Sequence, residues 1–145
     1  MEGKKQLHLR VITPNSLKVD ESADMVIMRC TTGDMGILPE HEQRSVALDY
    51  GVLRMFMGKS EKWMAVFGGV AEIKNNAVTI LANAAEWPED IDVAQAKLDQ
   101  ENFERRMRDA SDIVEIRKEQ AQLRRALVRI EVSTFPLINQ GSVEH

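Results

Sequence analysis

The chain has 145 residues and a mass of 16.4 kDa, enough for one ordinary domain or two small ones. Hydrophobic residues at 43% and charged residues at 29% give the composition of a folded protein, which excludes a disordered chain. A net charge of −4 and a pI near 5.4 argue against a nucleic-acid partner, and no run approaches the roughly 18 apolar residues of a membrane-spanning helix.

The N-terminus, Met1-Glu2-Gly3-Lys4-Lys5-Gln6, runs into Leu7, Leu9 and Val11 alternating with His8 and Arg10. That is the period of a half-buried strand, not the apolar block of a signal peptide, and Pro14-Asn15 ends it. Met25-Val26-Ile27-Met28 with Cys30 reads as a core strand bounded by Thr31-Thr32-Gly33-Asp34. Cys30 is the single cysteine, so no internal disulfide forms, which fits a reducing, cytosolic setting. Val46-Ala47-Leu48 and Val52-Leu53-Arg54-Met55-Phe56 flank a turn signal at Asp49-Tyr50-Gly51. Trp63-Met64-Ala65-Val66-Phe67 and Ala71-Glu72-Ile73 flank another at Gly68-Gly69. Asn75-Asn76 before Val78-Thr79-Ile80-Leu81 predicts a tight hairpin, because Asn tolerates positive φ. Many short strands with turn signals about every ten residues predict a sandwich or barrel.

The chain changes character near Pro88: seven of its eight glycines precede it, and glycine is unfavourable inside helices. Asp90 or Asp92 can cap a helix running to about Arg108, and Asp109-Ala110-Ser111-Asp112 can end it and cap the next. Ile113, Ile116, Leu123, Leu127 and Ile130 recur at helical spacing as one apolar seam. The short connection predicts an antiparallel helical hairpin. Pro136 is expected to stop the second helix, leaving residues 136–145 as a flexible tail. The expectation is therefore an α+β chain of two domains: residues 1–88 a β-sandwich and residues 89–135 a helical hairpin.

Catalytic chemistry is thinly supplied. The histidines are His8, His41 and His145, and no pair stands at metal-ligand spacing, so no metal is expected. Cys30 with His41 as its base is conceivable, but an apolar strand favours a buried structural thiol. Gly58-Lys59-Ser60 imitates the end of a phosphate loop, yet that motif needs a glycine five residues before Gly58, where Leu53 stands. A hairpin tip is the plainer reading, and no catalytic constellation is found.

Four segments in order resemble the epsilon subunit family of F-type ATP synthases, whose mitochondrial relative is called delta. Gly33-Asp34-Met35-Gly36-Ile37-Leu38-Pro39-Glu40-His41 is similar to the family loop G-E-x-G-I-L-P-G-H. Phe67-Gly68-Gly69-Val70-Ala71-Glu72-Ile73 is similar to S-G-G-x-x-E-V. Val78-Thr79-Ile80-Leu81-Ala82-Asn83-Ala84-Ala85-Glu86 is similar to V-T-V-L-A-D-x-A-E, and Asp90-Ile91-Asp92 opens the hairpin. The resemblance spans residues 6–134 and implies a ten-stranded sandwich followed by a helical hairpin. It departs at Glu40, where the family has glycine, and at Gln43, where a proline often follows the histidine. Glycine reaches positive φ easily and Glu does not, so a different bend is expected there.

The resemblance implies a non-enzymatic rotor subunit, needing no cofactor, at the cytoplasmic face of a bacterial plasma membrane, peripheral to it. Its partners would be the gamma subunit and the ring of c subunits, which the sandwich couples to the catalytic head. The matching interface is Asp34, Met35, Gly36, Ile37, Leu38, Pro39, Glu40 and His41, with Ile37, Leu38 and Pro39 as apolar contact and Asp34 paired to a basic residue of the ring. The hairpin by resemblance extends to the alpha and beta subunits and blocks ATP hydrolysis. Lys118, Arg125 and Arg129 lie within about 40° of one another opposite Leu127, a basic stripe suited to an acidic segment of beta. Some bacterial members bind ATP in the folded hairpin. The corresponding residues here are Glu86, Ile91, Asp92, Ala96, Arg125 and Arg129, but the first motif's arginine is Gln95, so weak ATP binding is expected. The competing reading is a stand-alone nucleotide-sensing protein, a sandwich with a helical lid.

Overall fold

A computed structural model of the chain describes residues 5–135; the expected stop at Pro136 and the tail at 136–145 lie outside the described residues. The chain divides into two compact units between Glu86 and Trp87.

The first unit is built of β1 (Leu7–Ile12), β2 (Leu17–Ala23), β3 (Met25–Cys30), β4 (Gly33–Ile37), β5 (Arg44–Met57), β6 (Ser60–Lys74), β7 (Ala77–Ala82) and β8 (Ala85–Glu86). Neighbours run in the order β2-β1-β7-β6-β5-β3-β4, with β8 beside β6. All pairs are antiparallel except β1 with β7. β2 and β5 stand four places apart in that order yet approach each other, so the sheet folds over into two layers around one core. Leu7, Leu9 and Val11 point into it while His8 and Arg10 face out. β3 alternates too: Val26, Met28 and Cys30 are buried and Arg29 is exposed.

Among the described residues eight strands stand where ten were expected, because β5 and β6 are 14 and 15 residues long and pair in one register from Arg44↔Ile73 to Met57↔Ser60. The turn signals at Asp49-Tyr50-Gly51 and Gly68-Gly69 do not end strands. A Cβ on Gly51 would lie 2.5 Å from Arg29 Cβ, and one on Gly69, at φ 135°, would lie 2.1 Å from the Leu81 carbonyl oxygen. Both glycines mark a close approach within the sheet. Met64 to Phe67 are buried without alternation, as befits the stretch of β6 covered on both faces. Full burial of side chains such as Phe67, Leu9 and Ile80 stabilises by roughly 1.5–3 kcal/mol each.

Two tight hairpins match their turn residues. Asn75 and Asn76 take φ of 52° and 61° between β6 and β7, and Gly58 takes 64° at the β5–β6 tip.

The second unit opens with a single 3-10 turn at Pro88–Asp90, followed by α1 (Val93–Asp109) and α2 (Ile113–Ser133). Asp92 caps α1 by accepting from the Gln95 amide at 3.0 Å, and Asp112 caps α2 by accepting from the Glu115 amide at 2.8 Å. Such caps contribute about 1 kcal/mol each. The expected seam is covered only in part, with Ile116, Leu123 and Ile130 half-buried. Ile113 and Leu127 are exposed, and Ala126, Val128 and Val132 are the buried positions. α2 carries apolar residues on more than one side, and periodicity does not say which side packing covers.

Candidate functional site

The interface segment proves to be half strand and half turn. Gly33–Ile37 is β4, the last strand of the sheet, paired with β3 from Cys30↔Gly33 to Val26↔Ile37. Asp34 lies opposite Arg29, whose Nε donates to its Oδ1 at 2.6 Å, so its carboxylate already has a cation within the chain. Ile37 is wholly buried and offers nothing to a partner. Met35 is half-buried and Gly36 exposed, and neither is an apolar anchor. What projects is Leu38, 56% exposed, followed by half-buried Pro39.

Glu40 corrects the expectation of a different bend. It adopts φ 70°, the left-handed conformation that suits glycine. Its amide donates to Asn76 Oδ1 at 2.6 Å, Asn76 Nδ2 donates to its Oε2 at 2.9 Å, and Lys5 Nζ donates to its Oε1 at 3.0 Å. Hydrogen bonds from Asn76 and Lys5, then the Lys5 charge, hold its carboxyl below the ordinary carboxylate value. His41 is half-buried; its amide donates to the Leu38 carbonyl at 3.2 Å and its Nδ1 to the Glu42 carbonyl at 2.8 Å. Gln43 is exposed beyond it. Cys30 is buried, and burial raises its thiol pKa, with the Asp34 charge adding and Arg44 opposing.

A second surface was missed in the sequence. Strand register aligns Leu17 (β2), Ile12 (β1), Leu81 (β7), Val70 (β6) and Ala47 (β5) in one row across five strands. Leu17, Leu81 and Val70 are 53%, 50% and 51% exposed, so this row is apolar and open. The next row on the same face is polar: Asp20, Arg10, Thr79, Glu72 and Ser45. The signal was Leu81, an apolar residue out of phase with buried Val78 and Ile80, but only the register reveals that four neighbours share its position.

In the second unit, Asp92 is engaged as a helix cap and Ile91 closes the 3-10 turn. Ala96 is buried one turn into α1, and the Gln95 side chain donates to Asp99 Oδ1 at 2.9 Å. Arg125 and Arg129 stand one turn apart on α2 and are half-buried, whereas Lys118 is exposed. The three do not form one solvated stripe, because α2 is turned away from its expected orientation. Arg106 beside Glu119, at 3.9 Å, marks an antiparallel register that brings the start of α1 to the end of α2, where Ala96 and the two arginines lie. Glu86 is in β8 and belongs to the first unit. Among the described residues no cluster of three or more His, Cys, Asp or Glu side chains is poised for a metal, and no helix is long and apolar enough to cross a membrane. The arrangement is suited to docking.

Residues 6–88 match the family described as ATP synthase, delta/epsilon chain, beta-sandwich domain, and residues 89–134 match its long alpha-helix domain. The chain is 37% identical over 128 residues to the ATP synthase epsilon chain of Halalkalibacterium halodurans, covering 88% of this chain and 96% of that one. It is 36% identical over 129 residues to the ATP synthase epsilon chain of Syntrophobacter fumaroxidans, covering 89% and 96%. A chain in the mitochondrial ATP synthase of Euglena gracilis, solved with its c-ring, has the same fold at a TM-score of 0.76 and 21% identity, with 82% and 76% covered. A chain in the central stalk and c-ring of the Tetrahymena thermophila mitochondrial ATP synthase superposes at a TM-score of 0.62 and 13% identity, with 90% and 98% covered.

Proposed function

This chain belongs to the ATP synthase delta/epsilon family, as a non-catalytic epsilon-type subunit of the central stalk, and from that premise we propose how its surfaces divide the work. The sandwich grips the gamma subunit through the apolar row of Leu17, Ile12, Leu81 and Val70, and presents the turn at Leu38 and Pro39 to the c-ring. It thereby transmits ring rotation to the catalytic head from the cytoplasmic face of a bacterial plasma membrane. The carrying observation is that row: three apolar side chains about half exposed, aligned across the sheet and bordered by a polar row. Such a patch on a rigid scaffold marks a docking surface.

The test replaces Leu81 and Val70 together with Asp. Both point away from the core, so the chain should keep its melting transition within a few degrees. It should no longer co-purify with the synthase from solubilised membranes. Undiminished co-purification of a folded double variant would overturn the gamma-docking reading.

The hairpin acts as a brake on ATP hydrolysis by reaching the alpha and beta subunits. Two observations support this: aspartate-capped helix starts favour a self-contained unit, and Lys118 is an exposed cation on α2. Deleting residues after 88 should raise hydrolysis by the assembled complex, and Arg125→Ala with Arg129→Ala should raise it in part. Hydrolysis unchanged by the full deletion counts against the brake.

ATP binding to the hairpin is weak in this reading. Asp92 is used as a cap, and Gln95 bonds to Asp99 in place of offering a cation. Gln95→Arg should tighten ATP binding by about one order of magnitude in titration calorimetry, since a charge-assisted bond is worth roughly 1.5–3 kcal/mol. Equal affinity in both chains would show that nucleotide does not use this face. A stand-alone nucleotide sensor would have no use for the apolar row and should be found free of the synthase.

A further inference from the structure

Leu38-Pro39-Glu40-His41 has the makings of a type II turn: Pro at the second position, positive φ at the third, and the His41 amide closing onto the Leu38 carbonyl at 3.2 Å. The third position of that turn calls for glycine, because a Cβ crowds the backbone at positive φ. Glu40 is there at φ 70°. Nothing in the turn itself relieves that conformation, and the restraint comes from two distant segments. Asn76, in the β6–β7 hairpin, both accepts from the Glu40 amide and donates to its carboxylate, and Lys5, before β1, binds the other carboxylate oxygen. Asn76 is itself fixed, since its carbonyl accepts from the His8 amide of β1 at 2.8 Å. On the other side of the apex, Ile37 is locked in the core.

We propose that Glu40 is a positioning residue: its side chain supplies by three tethers what glycine would supply by backbone freedom, and so holds the exposed Leu38 apex in one conformation. That the apex meets a partner rests on the function proposed above, whereas the tether stands on the chain alone, and the two fail separately. Among the described residues, the charged groups around Glu40 are Lys5 from the segment before β1 and His41 and Glu42 from its own turn. The β6–β7 hairpin brings uncharged Asn75 and Asn76, with Lys74 at its base. The His41 ring is bonded to the Glu42 carbonyl and not to Glu40.

The consequence is a pH signature. A carboxyl held below its ordinary value of 4.5 stays charged until the solution falls below that value, and protonation then removes the Lys5 ion pair and weakens the Asn76 bond. The tether is thus complete above the ordinary carboxylate value and is lost as pH falls through the lowered one.

The experiment follows amide exchange of His41 by NMR in the full chain from pH 7 to pH 3, corrected for intrinsic rates. Wild type should keep its protection down through the ordinary carboxylate value and lose it several-fold as the pH falls further through the lowered one. Glu40→Gly should retain the turn with no acid step. Glu40→Ala should lose protection about tenfold at neutral pH, and Asn76→Gly, which keeps its own positive φ, should lose a similar amount. Circular dichroism confirms that each variant is folded. Full protection in both Glu40→Ala and Asn76→Gly, or an acid step that survives in Glu40→Gly, overturns the proposal. Adding the variants to membranes stripped of this subunit reads the other half: Glu40→Ala should bind several-fold more weakly and Glu40→Gly like wild type. Loss of protection with unchanged membrane binding refutes the role of the apex at an interface while the tether stands.

Discussion

The two units of this chain reach order by opposite means. The sandwich buries 23 of the 27 core hydrophobics among the described residues, and its long strands tie distant parts of the sequence into one sheet. Among the described residues the hairpin fully buries only Ala96, Ala126, Val128 and Val132, and leaves Leu98, Ile113, Val114 and Leu127 substantially exposed. Its order draws more on local terms, two aspartate caps and helix propensity, with an interhelical ion pair at 3.9 Å beside them. Local unfolding is easiest where few apolar contacts must be broken. A dense unit suits a fixed docking platform, and a thinly buried one suits an element that changes its partner.

That contrast can be broken by substitution. The largest effect is expected in the sandwich core: Phe67→Ala removes a fully buried ring and should lower stability by about 3–5 kcal/mol in denaturant unfolding. Next is Gly69→Ala. Its Cβ would sit 2.1 Å from the Leu81 carbonyl oxygen at φ 135°, so a loss of about 2–4 kcal/mol is expected from the thermal midpoint, and a neutral result would show that β6 can shift. In the hairpin, Asp112→Ala should cost only about 1 kcal/mol, seen as loss of helical signal with the sandwich transition unmoved. A hairpin loss as large as that of Phe67→Ala would erase the distinction. Smallest is the pair of Arg106 and Glu119, where a double-mutant cycle should give less than about 1 kcal/mol because Arg106 is 60% exposed.

Cys30 sharpens the same comparison by chemistry. Burial raises its thiol pKa, so little of the reactive thiolate forms at neutral pH. Alkylation should follow unfolding of the sandwich and stay unaffected by Asp112→Ala. Rapid labelling of the native chain would mean that β3 opens easily.

Much of this architecture was legible in the residues. The alternation of Leu7, Leu9 and Val11 gave β1, and Asn75-Asn76 gave a hairpin that needs positive φ at both positions. Asp112 marked one helix start, and of the two candidates Asp90 and Asp92 for the other the structure uses Asp92. These are local signals, in which a side chain acts on its own stretch of backbone. The misreadings have a common cause in long-range packing. Gly51 and Gly68-Gly69 read as strand ends, yet Gly51 and Gly69 accommodate the Arg29 side chain and the Leu81 backbone, neighbours far away in sequence. Asp34 read as free for a partner, but β4 lies beside β3 and delivers it to Arg29. Glu40 read as a departure that bends the turn differently, and the turn is kept because Asn76 and Lys5 hold it.

By itself, then, the sequence determined the class of each region, the places where helices begin and the family to which the chain belongs, since capping, periodicity and motif order are written in neighbouring residues. Tertiary structure alone decided which apolar side chains stay outside. Leu81 and Val70 differ from Ile80 and Ala71 only in strand phase, and the row they form with Ile12 and Leu17 exists because four strands happen to stand in that register. It decided likewise that α2 buries Ala126 and Val128 in preference to Leu127, because a helix with more than one apolar side takes its orientation from what it packs against.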